Sequence, residues 1–239
     1  MSGDTITFTI DGVTVEAAPG QTIIQACDAV GVYIPRLCHH PELEPAGHCR
    51  VCTCNIDGRR SSACTMPAAN GMVVESNTAE LNQDRRTLIE MLFVEGNHFC
   101  PSCEKSGNCE LQAMGYALGL AAPTLPYLWP QRELDASHPD IYIDRNRCIL
   151  CSRCIRASRM VDGKSVFGFD GRGIHLTLNI DAAHLDETTI AAVDKAVQVC
   201  PVGCIVLKRT GYREAYGERK YDRTPIGSDI RAKRNGGKP

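Results

Sequence analysis

Aromatic side chains are scarce: five Phe and one Trp in 239 residues, thin for one large aromatic core. The length instead suits two or three small domains. No stretch approaches the roughly eighteen consecutive apolar residues of a membrane-spanning helix. The start, MSGDTITFTI, has no basic segment, apolar core or cleavage site of a secretory leader, so a cytoplasmic location is expected. No GxGxxG follows a strand, which removes the dinucleotide fingerprint. Gly163-Lys164-Ser165 resembles half a phosphate-binding loop, but Ser158 stands where that loop requires glycine. Charge is nearly balanced at −2, so neither nucleic acid nor membrane is an expected partner. It is unevenly spread: residues 209–239 carry nine Lys or Arg against four Asp or Glu, a basic tail on an acidic body, expected to clamp a partner.

Cysteine is what the chain has in excess, with fourteen. In a reducing compartment, clustered cysteines point to metal rather than to disulfides. Neighbouring CxxC pairs would also compete for the same disulfide partners. The clearest group is Cys148-Ile149-Leu150-Cys151-Ser152-Arg153-Cys154, closed by a distant Cys200-Pro201. One short loop rarely offers three thiolates at tetrahedral angles to zinc, but it can wrap a [4Fe–4S] cubane and leave a remote Cys-Pro to complete it. Ser158 lies four residues after Cys154, where two-cluster ferredoxins place a cysteine for their other cubane, so a single cluster is expected here.

The N-terminal third alternates as two strands, Thr5–Ile10 and Val13–Glu16, joined by Asp11-Gly12. A helix capped by Thr22 and stopped by Gly31 follows. Cys38, Cys49, Cys52 and Cys64 come next on loops, with intervals of ten, two and eleven residues. A hairpin, a helix and a Cys-rich loop suggest a ferredoxin-like β-grasp module holding [2Fe–2S]. Its first interval is longer than the four residues of the plant type. Cys27 and Cys54 read as packed thiols, and His39, His40 and His48 as polar loop groups.

A helix from Ala79 to Val94, with Leu81, Leu88, Ile89, Leu92 and Phe93 as its apolar stripe, leads to Cys100, Cys103 and Cys109. These leave one corner of a cubane unfilled, and His98 is the nearest donor; a neutral imidazole would make the cluster one charge less negative. Residues 121–140, with four prolines, Tyr127 and Trp129, read as an extended linker whose aromatics dock on a surface. Strands are expected at Ile141–Asp144 and Leu176–Ile180, and a helix after Thr188 or Thr189 through Val193 and Val197. Cys204 is left without a cluster to serve and reads as packed.

With these three loops in this order, residues 5–208 resemble the N-terminal iron–sulfur region of the large cluster-bearing subunit of respiratory complex I and of [FeFe] hydrogenases. Above all they resemble the diaphorase-side γ subunits of NAD-reducing [NiFe] hydrogenases. The resemblance implies an α+β chain. It has a [2Fe–2S] β-grasp module (1–78) and a small helical [4Fe–4S] module with one His and three Cys ligands (79–120). A linker (121–140), a ferredoxin-type [4Fe–4S] module (141–208) and the tail (209–239) follow. By position, Cys38, Cys49, Cys52 and Cys64 would hold the first cluster. His98, Cys100, Cys103 and Cys109 would hold the second, and Cys148, Cys151, Cys154 and Cys200 the third. In one departure, the complex I pattern has three residues between its His and the first Cys, where this chain has only Phe99. Ending about thirty residues beyond the last cluster loop, the chain is expected to be a dedicated relay without substrate chemistry. Its expected partners are a flavin/NAD diaphorase subunit and the small and large subunits of a [NiFe] hydrogenase. The alternatives are the same relay in a complex I-like or formate dehydrogenase enzyme, and a zinc-stabilised interaction scaffold.

Overall fold

In the computed structural model, which describes residues 5–180 and 190–234, Asp11 and Gly12 both take positive φ, 47° and 78°. That is the geometry of the type I′ turn expected there. It pairs β1 (Ile6–Ile10) antiparallel with β2 (Val13–Ala17). Strand β5 (Val73–Glu75) lies parallel to β1 and antiparallel to β3 (Thr53–Ile56), whose hairpin partner is β4 (Arg59–Ser62). The sheet order is β2-β1-β5-β3-β4. Helix α1 (Ile23–Ala29) packs against it and starts in a capping box: Thr22 Oγ1 accepts the Gln25 N–H, and Gln25 Oε1 accepts the Thr22 N–H at 3.0 Å. Phe8, Ile10, Val15, Ile23, Ile24 and Val74 form this module's core, with Cys27 and Cys54 buried among them.

Helix α2 (Ala79–Glu95) is capped by Thr78, whose hydroxyl accepts the Leu81 N–H at 3.2 Å. Its buried face differs from the expected stripe. Leu81, Ile89 and Val94 go in, Leu88, Leu92 and Phe93 are half-buried, and Arg85 and Glu90 are buried. Arg85 donates to the carbonyls of Val51, Thr53 and Ser76 at 2.6–3.0 Å, tying α2 to the first module. Glu90 accepts backbone N–H groups from Thr124 and Leu125, fastening the linker. Charged groups buried in this way are tolerated because each finds partners.

Helix α3 (Glu110–Ala117) packs on α2. The linker is pinned to this chain by the Leu128 N–H on the Val94 carbonyl at 3.0 Å and by Asn97 on the Pro130 carbonyl at 2.6 Å. Tyr127 and Trp129 stack on each other at 4.9 Å and stay exposed. The linker also contains a strand that nothing in its sequence signals, β6 (Leu134–Asp135), which pairs with β7 (Ile141–Asp144). Helix α4 (Arg153–Met160), a hairpin of β8 (Phe167–Asp170) and β9 (Thr177–Ile180), helix α5 (Lys195–Gln198) and β10 (Ile205–Leu207) complete the third module. Thr188 and Thr189 lie outside the described residues, Val193 sits in a turn, and α5 starts only at Lys195. Ile89, Leu111, Met114, Ile141, Ala157 and Leu178 belong to one core, which the second and third modules share.

The tail folds back over its own chain. Tyr212 donates to the Ser102 carbonyl at 2.7 Å, Arg219 to the Ser106 carbonyl at 2.9 Å, and Lys233 to the Asp28 carbonyl at 3.1 Å. Helix α6 (Ser228–Arg234) packs on α1. Over residues 209–234 the expected partner clamp is therefore first a strap joining the second module to the first.

Candidate metal centres

Three nests of sulfur are present, one per module. In the first, Cys38, Cys49, Cys52 and Cys64 converge from turns around β3 and β4. The Cys38 N–H donates to Cys49 Sγ at 3.3 Å. The thiols of Cys49 and Cys64 hydrogen-bond to Cys38 and pull its pKa far down, and a further bond from Cys64 brings Cys52 down to about 7. The same bonds push Cys49 and Cys64 up, so the four thiols stand close enough to share hydrogens. Burial pushes Cys27 up to about 12 and Cys54 up to about 11, so both stay protonated core residues as expected. The three neighbouring histidines differ. His48 is exposed, and His40 accepts the Glu42 N–H at 3.3 Å. His39, expected to be a polar loop group, is instead 2% exposed, with neither ring nitrogen partnered among the described residues.

The second nest is a small cavity lined by His98, Cys100, Cys103, Cys109, Phe93, Ser106, Gln112, Arg147 and Gly203. It brings all four expected ligands together, although only Phe99 separates His98 from Cys100. Burial and the cations of Arg147 and Arg132 push His98 down to about 4, so its ring is neutral. Its Nε2 is buried without a hydrogen-bond partner among the described residues. A neutral imidazole with an unpaired buried nitrogen fits a metal ligand. Gly96 makes room for it: a Cβ there would meet His98 Nε2 at 2.6 Å. Cys109 caps α3, its sulfur accepting the Gln112 N–H at 3.5 Å; burial pushes its thiol up to about 12 against the lowering effect of that bond.

The third nest is lined by Cys148, Cys151, Cys154, Cys200 and Cys204 within an apolar shell that includes Phe169 and Leu178. Leu150 and Ser152 adopt left-handed backbone, φ 51° and 56°. Such turns at residues that resist them fold the loop so that its cysteines face inward. The Leu150 N–H donates to Cys148 Sγ at 3.4 Å. Cys204 is packed, as expected, at 1% exposure, but it also lines this nest, where its thiol hydrogen-bonds to Cys148 and Cys200. Ser158 is committed elsewhere. Its hydroxyl accepts the Val166 N–H at 3.1 Å and its carbonyl the Lys164 N–H at 2.8 Å.

Among the described residues, no three His, Cys, Asp or Glu side chains converge tightly enough for a single metal ion. Four donors per nest is the number that a [2Fe–2S] or [4Fe–4S] cluster takes. The third nest is the middle one. Arg156 Nη2 donates to the Cys38 carbonyl at 2.5 Å and the Cys151 carbonyl at 3.4 Å, bridging it to the first nest. On the other side, a Cβ on Gly203 would lie 2.6 Å from Cys103 Sγ of the second nest. Arg153 adds a tie, pairing with Glu110 at 2.7 Å and donating to the His39 carbonyl at 2.9 Å. Nothing in the sequence marks Arg147, Arg153, Arg156 or Gly203, which by residue type alone are three solvated charges and a turn. A cleft of about 800 Å³, lined by residues of the second module, the third module and the tail, reaches the third nest at Cys200 and Ile205.

Three family profiles match in sequence. A 2Fe-2S iron-sulfur cluster binding domain matches residues 3–79, an NADH-ubiquinone oxidoreductase-G iron-sulfur binding region residues 85–123, and a 4Fe-4S single cluster domain residues 141–207. The chain is similar to the 78 kDa subunit of mitochondrial NADH-ubiquinone oxidoreductase of Candida albicans, 31% identical over 97% of this chain but 33% of that one. It thus spans about a third of that relative's length. A crystal structure of an NAD⁺-reducing [NiFe]-hydrogenase in the H2-reduced state contains a chain that superposes with a TM-score of 0.90, at 45% identity, over 96% of this chain and 98% of that one. The gamma subunit of the NAD-reducing hydrogenase HoxS of Cupriavidus necator is 41% identical over 91% of this chain and 93% of its own length. Matched nearly end to end at that identity, this chain belongs to the family of gamma subunits of NAD-reducing hydrogenases.

Proposed function

We propose that this chain is the electron-transfer subunit of an NAD-reducing [NiFe] hydrogenase, joining a hydrogenase module to a flavin/NAD diaphorase module. It carries one [2Fe–2S] and two [4Fe–4S] clusters, centres that accept and release one electron at a time. The proposed ligands are Cys38, Cys49, Cys52 and Cys64 for the first. His98, Cys100, Cys103 and Cys109 hold the second, and Cys148, Cys151, Cys154 and Cys200 the third. The chain binds no substrate. Its residues hold the three centres in a row, exclude water around them and set the charge at each. The segments 1–78, 79–120 and 141–208 are the corresponding modules. The hydrogenase small and large subunits and the flavin subunit are the partners, and the cytoplasm is the compartment.

The observation that carries this reading is that the third nest contacts both others, the first through Arg156 and the second through Gly203. The test uses the intact complex carrying Cys154→Ser. Hydrogen-dependent NAD⁺ reduction should collapse, while NADH-dependent dye reduction at the flavin subunit and co-purification of all subunits persist. Unimpaired hydrogen-dependent NAD⁺ reduction in that variant would defeat the proposal.

A further inference from the structure

The second and third nests differ in charge. The third is lined by thiols, apolar groups and one Ser hydroxyl. Among the described residues lining the second, Arg147 is the one Lys, Arg, Asp or Glu side chain. It does not belong to the second module. It ends a short 3-10 turn (Arg145–Arg147) directly before Cys148, on the third module's own cysteine loop. From there Nη1 reaches Cys103 Sγ at 3.5 Å. Two carboxylates hold it in place: Glu104 accepts from Nη1 at 3.1 Å and Asp144 from Nε at 2.9 Å. The side chain is 15% exposed, so its charge is only weakly screened by solvent. Gly203 closes the arrangement from below, where a Cβ would crowd Arg147 at 3.4 Å as well as Cys103.

A cation in hydrogen-bond reach of a ligand sulfur stabilises the more negative, reduced state of whatever that sulfur binds. Net charge and hydrogen bonds to sulfur are the levers that set cluster potentials. We propose that Arg147 is a positioning residue that raises the reduction potential of the centre held by His98, Cys100, Cys103 and Cys109, and that the third module thereby sets the redox poise of its neighbour. The inference rests on the ligand set proposed above. Glu104, the carboxylate beside both groups, works in the opposite sense.

The test is a redox titration of the anaerobic native complex, followed by electron paramagnetic resonance, in Arg147→Gln, Arg147→Lys and Glu104→Gln. Arg147→Gln should lower the midpoint of the His-ligated centre and leave the all-thiolate centre where it was. Glu104→Gln should raise the same midpoint, and Arg147→Lys should fall between wild type and Arg147→Gln. If Arg147→Gln does not assemble, the Lys and Glu104 variants decide alone. Shifts of one sign in all variants, or none at full iron content, would reduce Arg147 to packing and overturn the proposal. The ligand set is tested separately: His98→Ala with an unchanged spectrum and full iron would remove that reading, whatever the Arg147 variants do.

Discussion

Replacing Gly203 with alanine should damage a centre to which Gly203 supplies no ligand. The residue lies between Cys200 and Cys204 of the third nest, yet an added Cβ would sit 2.6 Å from Cys103 Sγ of the second. Ordinary carbon–sulfur contact needs roughly 3.7 Å, so about 1 Å must be found by moving Cys103, and Arg147 at 3.4 Å blocks one way out. Overpacking of this kind costs about 1–3 kcal/mol. If that strain falls wholly on the loaded second site, affinity there drops about 5- to 150-fold. Anaerobically purified Gly203→Ala should therefore show a weakened or altered signal from the His-ligated centre, with the other two signals intact. Equal loss of both cubane signals would mean that Gly203 serves its own loop. Unchanged spectra at full iron content would mean that the close approach of the two nests is not as described.

His98→Ala should alter the spectrum of one cubane only, because the imidazole is that site's single non-thiolate donor. Gly96→Ala should act on the same signal, since its Cβ would meet His98 Nε2 at 2.6 Å. Ser158→Ala removes the acceptor of the Val166 N–H and should cost about 1–3 kcal/mol, read as a lower denaturation midpoint at unchanged iron content. Arg85→Met strands the carbonyls of Val51, Thr53 and Ser76; a loss of several kcal/mol is expected, about 1–3 for each unsatisfied group, measured by chemical denaturation.

Much of this architecture is legible locally. Asp11-Gly12 signals its turn, Thr22 its helix, and the cysteine intervals their nests, because each acts through near neighbours. His98 is found by counting donors around a cavity that three cysteines leave incomplete. The contacts that join modules are not legible. Arg85, Arg153 and Arg156 are buried, and Arg147 half-buried, against partners that lie far away in sequence, and by composition alone a charge belongs in water. Glu90 replaces the expected Leu88 inside because the linker supplies N–H groups for it to accept. Strand β6 is two residues long and exists only through its pairing with β7. Cys204 is superfluous by count, since four cysteines already fill the set; only the fold returns it to the cavity of Cys148 and Cys200.

The most direct measurement is iron and acid-labile sulfide in the anaerobically prepared native chain, read with its reduced-state electron paramagnetic resonance. Three centres predict about ten iron atoms per chain and signals from one binuclear and two cubane species. A colourless, zinc-loaded protein, or iron sufficient for only one centre, would contradict the account.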